Sequence, residues 1–170
     1  MLIAHMPAGY ILSKLLYPRL QSLAQGRTRF IAAGMLGSVA PDIDMLYFHF
    51  IDDRHHNHHS YWTHFPVVWG IVLLMSCIYC ARRPRTAFQG AALIFCLNGF
   101  VHLLLDSIVG DIRWLAPWRE QSFSLFTVTP RYSTWYLNYV FHWSFCLEVA
   151  VIVWAYWLWR KERLLPEGRY

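Results

Sequence analysis

Three long apolar runs constrain this chain more than any other feature of its sequence. They extend over residues 65–81, 87–108 and 135–159. At about 1.5 Å per helical residue these runs would be roughly 25 to 37 Å long, and the hydrocarbon core of a membrane is about 30 Å thick. The runs therefore predict three transmembrane helices.

Two weaker segments precede these runs. Residues 4–20 include the polar side chains of Ser13 and Lys14, and residues 30–40 are short, Gly-rich and followed by Pro41. We expect helices here that are tilted, half-buried or packed. The predicted fold is therefore all-α, a polytopic membrane bundle of about five helices in a single domain, residues 1–170. A signal peptide ending at Ala40 is not predicted, because a basic start is missing and Pro41 would block cleavage.

The composition excludes several classes of protein. Hydrophobic residues make up 56% of the chain and charged residues 15%, so a disordered chain is excluded. Four cysteines in 170 residues are too few for a disulfide scaffold. All four lie in apolar runs, and we interpret them as buried small hydrophobic residues: Cys77, Cys80, Cys96 and Cys146.

The charged residues predict an orientation in the membrane. Eleven of the fifteen Lys and Arg residues lie in three places: from position 14 to 29 around the first helix connection, between the third and fourth predicted helices, and in the tail. Basic residues in short loops stay on the cytoplasmic side. We expect a multi-pass protein of the bacterial inner membrane, with residues 41–64 and 111–134 in the periplasm and the C-terminus in the cytoplasm. The net charge of +5 is then a topology signal, and no nucleic-acid partner is expected.

Histidines and aspartates gather on the predicted outer side. His102 and Asp106 are spaced i, i+4 near the outer end of the fourth predicted helix, so their side chains share one face. The remaining candidate metal ligands lie near the first helix start or in the outer loop: His5, Asp42, Asp44, His59 and His64. Under this topology all seven reach the same membrane face.

Mixed carboxylate and imidazole ligands are typical of a metal site. They suit zinc above all, with manganese or iron as alternatives, and a bridging aspartate can hold two ions. An aspartate near the hydrocarbon boundary costs on the order of a few kcal/mol unless it is paired or bound to a metal. The pair His102 and Asp106 therefore favours a site for one or two divalent ions. For His55, His56 and His58, a metal ligand and a solvated loop histidine both remain open.

These motifs resemble the membrane-bound metal-dependent hydrolases of the YdjM-like family, over about residues 5–117. The family's middle motif, His-Arg-Gly-x-Thr-His-Ser, maps onto residues 59–65, where both histidines and the threonine are retained but Arg, Gly and Ser are not. The order of ligands is also similar, more distantly, to zinc-dependent phospholipase C and the single-strand-specific zinc nucleases. That second likeness implies a phosphoester substrate, with Asp106 as the bridging carboxylate.

The predicted function is a metal-dependent hydrolase that cleaves an ester or phosphoester of a lipid-linked or envelope substrate. Candidate catalytic residues are Asp106, Asp44 and His142, and His142 is equally compatible with a structural hydrogen bond. Arg113 and Arg119 are candidate phosphate clamps, with lipid headgroups as the alternative partner. Glu148, deeper in the last helix, is predicted to be structural or a proton relay. A metal transporter or sensor and a non-catalytic protein with a structural metal are the alternative functions, and no oligomeric state is predicted.

Overall fold

The computed structural model describes residues 3–83, 86 and 88–164, and the regular structure of this part of the chain is helical. Seven α-helices occur among these residues: α1 (His5–Leu20), α2 (Arg27–Gly37), α3 (Asp44–Phe50), α4 (Pro66–Arg82), α5 (Gln89–Asp106), α6 (Trp135–Val140) and α7 (Ser144–Arg163). Four single-turn 3-10 helices connect them: Gln21–Leu23, Pro41–Ile43, His58–Ser60 and Trp62–His64.

Four helices agree with the apolar segments of the sequence. The bounds of α1, α2, α4 and α5 differ from the predicted segments by at most three residues. The predicted outer loop contains α3, which is only seven residues long. The last apolar run is not one helix, because the chain turns after Val140 and restarts at Ser144, forming α6 and α7.

The prediction of three transmembrane spans in a polytopic bundle is wrong. Among the described residues, α5 alone is long and apolar enough to cross a membrane. The apolar helix α4 has 17 residues, and α6 has six. The 20 residues of α7 include Glu148 and end in a charged turn at residues 160–163. These charged side chains lower the hydropathy of that helix. A continuous apolar run in the sequence is therefore not a continuous apolar helix here.

Glycines allow α5 to lie very close to two neighbouring helices. A Cβ atom on Gly37 of α2 would lie 2.7 Å from the Cα atom of Phe95 on α5. A Cβ atom on Gly99 of α5 would overlap the indole ring of Trp69 on α4. Small residues at helix contacts are typical of proteins in membranes, where close packing replaces the hydrophobic effect. This packing fixes α5, the helix that carries His102 and Asp106, between α2 and α4.

A buried acid of α7 anchors the start of α1. Glu148 is 2% exposed, and its Oε2 accepts hydrogen bonds from the backbone N–H groups of Ile3 at 2.6 Å and Ala4 at 3.2 Å. His5 is the next residue along the chain, so these bonds also fix where His5 lies. The contacts support the structural role predicted for Glu148.

The four cysteines are not buried, so that interpretation of the sequence is wrong. Cys77 and Cys146 are exposed, Cys80 and Cys96 are half-buried, and all four are free thiols. An apolar run shows that a helix is apolar overall, but it does not show which side chains turn toward the other helices.

Candidate metal centre

Three segments bring four of the candidate ligands together at one end of α5. His102 and Asp106 lie one turn apart on the last turns of α5. Asp42 lies in the 3-10 turn that begins at Pro41, directly after α2, and His64 ends the 3-10 turn before α4. Because α2 and α4 both pack against α5, the turns after α2 and before α4 meet at the carboxyl end of α5.

Two histidines and two aspartates form a compact group of ligand atoms. Asp42 Oδ1 lies 3.6 Å from His64 Nε2 and 3.5 Å from His102 Nε2. Asp106 Oδ2 lies 2.9 Å from His102 Nε2 and 3.9 Å from His64 Nε2. Metal–ligand bonds of about 2.0–2.1 Å in a tetrahedral zinc site place neighbouring ligand atoms about 3.3 Å apart. The observed separations lie around that value, and we call these four residues the quartet.

Hydrogen bonds to the other ring nitrogens orient both histidines. The Nδ1–H of His102 donates to the carbonyl oxygen of Ser38 at 2.7 Å, and the Nδ1–H of His64 donates to Asp44 Oδ2 at 2.6 Å. The Thr63 hydroxyl donates to the same oxygen of Asp44. Each ring thus presents the lone pair of its Nε2 atom to the quartet. This arrangement is typical of metal-binding histidines, whose second nitrogen is held by a carbonyl or carboxylate.

The two Nε2 atoms are buried and lack a hydrogen bond to any residue that the structure describes. The side chains of His64 and His102 are both 0% exposed, so solvent does not reach these atoms. A buried polar atom without a hydrogen bond costs about 1–3 kcal/mol. A cation between the two nitrogens would satisfy both, so the residues present here fit a metal ion.

His5 supports Asp106 from the side of α1. Its Nε2–H donates to Asp106 Oδ1 at 3.0 Å, which leaves Oδ2 directed at the quartet. Its ring also stacks on that of His102, with centroids 3.8 Å apart. Burial lowers the pKa of His5 and outweighs the attraction of the Asp106 carboxylate. The structure thus places His5 against Asp106, where it orients the carboxylate.

Two further histidines lie beside the quartet. His59 Nε2 is 3.7 Å from Asp106 Oδ2, and His58, His59 and His64 form a second group of ligand atoms that share His64 with the quartet. Burial lowers the pKa of His59 to about 2 and also lowers that of His58. Both imidazoles are therefore neutral at pH 7, which is the form that binds metals.

Asp44 lies close to these histidines, and its carboxylate accepts hydrogen bonds from the side chains before α4. It is 4% exposed, its Oδ2 accepts from Thr63 and His64, and its Oδ1 lies 3.9 Å from His58 Nδ1. The retained threonine of the sequence motif thus has a physical role, because it helps to hold the carboxylate that orients His64.

The other loop histidines turn away from the quartet. His56 Nδ1 is bound to Asp52 Oδ1 at 2.8 Å, and His55 Nδ1 is bound to the backbone oxygen of Asp52 at 2.5 Å. His49 Nδ1 is bound to the backbone oxygen of Met45 at 2.9 Å. All three side chains are exposed. Of the histidines left open by the sequence, His58 lies at the cluster, and His55 and His56 do not.

A cavity of about 310 Å³ opens beside the quartet. One part of its wall is polar and the other is apolar or aromatic; the lining residues are Asp42, Met45, His58, His59, Asp106, Val109, Gly110, Trp135 and Tyr139. Trp135 and Tyr139 both belong to α6. The cavity therefore has room for a molecule with a polar group near the quartet and an apolar part against α6.

Three residues singled out in the sequence lie away from this cavity. His142 hydrogen-bonds the Ser144 hydroxyl at 2.8 Å and lines a different cavity with Arg131. Arg113 is half-buried, Arg119 is exposed, and neither lines the cavity at the quartet. Sequence reasoning missed Arg54, which lines an adjoining part of the cavity. The sequence does point to Arg54, because it is the one Lys or Arg between Pro41 and His64.

Comparison with known proteins identifies one family. A family model described as "YdjM inner membrane protein" matches residues 1–163, which is nearly the whole chain. No curated protein and no solved structure matches the chain.

Proposed function

This chain belongs to the YdjM inner membrane protein family, and we propose that it is a metal-dependent hydrolase acting on an ester or phosphoester of a lipid-linked or envelope substrate. One observation carries the proposal. The Nε2 atoms of His64 and His102 are buried, oriented by hydrogen bonds and aimed between Asp42 and Asp106, at the wall of a cavity that can admit a substrate.

Zinc is the ion we propose for the quartet. Two imidazole nitrogens and two carboxylate oxygens suit zinc, and their separations suit tetrahedral coordination. Such an ion acts as a Lewis acid toward an ester or phosphoryl oxygen and lowers the pKa of water. The group of His58, His59 and His64 is the place for a second ion if the site holds two.

The residues around the quartet have separate roles in this proposal. Asp42, His64, His102 and Asp106 hold the metal, while His5, Asp44 and the Ser38 carbonyl keep three of these ligands oriented. His59 lies in the cavity wall as a neutral imidazole, which can hydrogen-bond a substrate or bind a second ion. His142 has no role in the proposal, because it lines another cavity.

The position of the site on α5 supports a substrate from the membrane. Asp106 is the last residue of α5, the candidate span, so the cavity lies where that helix would leave the hydrocarbon core. At the other end of α5 the preceding residues include Arg82 and Arg83, which favour the cytoplasmic side. We therefore propose that the metal site faces the periplasm.

The wall near the mouth of the cavity also favours an amphiphilic substrate over a transported ion. Trp135 on α6 lines the cavity and is still 62% exposed. Transport would require polar groups that continue along α5, but the next polar side chain below His102 is Asn98, whose amide donates to the backbone oxygen of Ile94 and to Ser13. The amide of Asn98 is therefore already hydrogen-bonded within the protein, and these contacts do not support a path for ions along α5.

The test is hydrolysis by the zinc-loaded protein in lipid nanodiscs. Phosphoester lipids and acyl-ester lipids are offered separately, and the products are identified by mass spectrometry. We expect wild-type protein to release product from one of the two classes, His102→Ala to lose this activity, and His56→Ala, a change at an exposed histidine held by Asp52, to keep it. Zinc bound at the site with no hydrolysis of either class would contradict the hydrolase proposal and favour a binding protein.

A further inference from the structure

The cavity at the quartet continues outward between α3 and α6. An adjoining part of about 440 Å³ shares His58, His59, Trp135 and Tyr139 with the part beside the quartet. It adds residues from α3 and from the loop after it, among them Phe48, His49 and Arg54. A substrate held at the quartet thus has room to extend between the two helices toward Arg54.

The backbone of the loop after α3 adopts an unusual conformation at Arg54. Asp53 has a φ of 46° and Arg54 a φ of 64°, and these are the left-handed angles that residues other than glycine seldom adopt. The N–H of Arg54 donates to the backbone oxygen of Phe48 at 3.0 Å, so the strained turn is tied to the end of α3. Strained backbone of this kind clusters at functional sites and ligand clamps.

The guanidinium of Arg54 is available for a ligand. Arg54 is exposed and makes no ion pair within the parts of the chain that the structure describes. Asp111 lines the same part of the cavity, but no ion pair joins it to Arg54. A guanidinium presents a planar fork that binds phosphate or carboxylate with two parallel hydrogen bonds. Among the described residues that line this outer part of the cavity, Arg54 is the one Lys or Arg.

We propose that Arg54 is a specificity-determining residue that binds a second anionic group of the substrate, while the phosphoester to be cleaved lies at the quartet. This inference rests on the proposed function and narrows the substrate to phosphoesters that carry another acidic group. The part of the substrate that joins the two anionic groups would lie between Trp135 and the α3 side of the cavity. The loop arginines Arg113 and Arg119 are outside this cavity and have no part in the recognition.

Two phosphonates that the protein cannot hydrolyse test the inference. Butylphosphonate offers one anionic head, and 4-phosphonobutanoate carries an additional carboxylate at the far end of a similar chain. Binding to the zinc-loaded protein is measured by isothermal titration calorimetry in nanodiscs of phosphatidylcholine, a lipid whose headgroup carries no net charge. We expect wild-type protein to bind 4-phosphonobutanoate about tenfold or more tightly than butylphosphonate, as one additional charged hydrogen-bonded contact provides.

Substitutions then locate the second contact. Arg54→Gln should remove the preference for 4-phosphonobutanoate and leave the affinity for butylphosphonate unchanged. Arg19→Gln, a matched change at an exposed arginine in the last turn of α1, should keep the preference. Equal preference in wild type and Arg54→Gln, or a loss of preference in Arg119→Gln instead, would overturn the inference while leaving the metal site intact. If neither phosphonate bound to the wild-type protein, the proposed function would fail, and the role of Arg54 with it.

Discussion

At the scale of single residues, the site depends on hydrogen bonds that each ligand makes away from the quartet. Asp44 holds the Nδ1–H of His64, and the Ser38 carbonyl holds that of His102. Such supporting contacts commonly change metal affinity by about 10–100-fold when they are removed. The geometry at the quartet is therefore set partly by residues outside it.

Asp106→Asn tests whether this carboxylate is a metal ligand. The substitution keeps the size of the side chain and barely changes helix propensity, but it removes the negative charge. We expect bound metal to fall about tenfold or more, and the metal-induced rise in melting temperature to shrink, because a ligand that binds only the folded state stabilises it by mass action. Metal content is measured by mass spectrometry and unfolding by scanning fluorimetry. Wild-type metal content and full hydrolysis in Asp106→Asn would contradict the assignment.

Gly110→Ala tests the position of His59. A Cβ atom on Gly110 would lie 2.6 Å from His59 Cε1, too close for two carbon atoms, so the imidazole must move. We expect weaker zinc binding or slower hydrolysis with little change in thermal stability, because Gly110 lies outside the helices. Gly70→Ala is the matched control, since its Cβ atom would meet nothing closer than Phe100 at 4.0 Å. Equal activity in both variants would show that His59 can shift without consequence.

Sequence alone could identify most of these ligands but not their individual roles. The i, i+4 spacing in a helix already predicts that His102 and Asp106 share a face, and α5 confirms the helix. In the loop, no such spacing rule predicts where the side chains of neighbouring histidines point. His56 is hydrogen-bonded to Asp52, whereas His58 lies 3.9 Å from Asp44. This difference depends on a turn of the loop that no periodic sequence pattern describes.

At the scale of helices, the backbone contacts of α2 and α5 hold the site together. Gly37 of α2 lies against the backbone of Phe95 on α5, two helical turns before His102. Ser38, which follows Gly37 directly, provides the carbonyl that orients His102. The packing of these two helices and the orientation of one ligand are therefore coupled.

Gly37→Ala tests this coupling. The added methyl group would meet backbone atoms of Phe95, which cannot rotate away as a side chain could. We expect the unfolding free energy to fall by about 1–3 kcal/mol, the range typical of overpacking, and zinc affinity to fall as well because the Ser38 carbonyl moves. Chemical unfolding in detergent and zinc titration measure the two effects, with Gly70→Ala again as control. A stable Gly37→Ala protein with wild-type zinc affinity would contradict the coupling.

The sequence also predicted helices better than membrane spans. The four helices α1, α2, α4 and α5 follow from apolar segments bounded by polar or helix-breaking residues. The break between α6 and α7 does not follow, because residues 141–143 are as aromatic as their neighbours. The short helix α3 does not follow either, because seven residues are too few for a periodic pattern to be distinguished from a loop.

At the scale of the whole molecule, the orientation of the site relative to the membrane can be measured directly. Cysteines are introduced singly at Arg83, before α5, and at exposed His55, near the site, in a variant that lacks the four native thiols. In intact cells a membrane-impermeant thiol reagent should label position 55 and not position 83, because basic residues favour the cytoplasmic side. Labelling at position 83 alone would place the metal site in the cytoplasm.

The central claim is that His64 and His102 bind a metal ion together with Asp42 and Asp106. The most direct measurement is the metal content of protein purified in detergent, compared among wild type, His64→Ala, His102→Ala and the exposed-histidine control His56→Ala. We expect one or two zinc ions per wild-type chain, the same content in His56→Ala, and a marked loss in both His64→Ala and His102→Ala, since each removes an oriented, buried Nε2 atom. Equal metal content in all four proteins would contradict the claim.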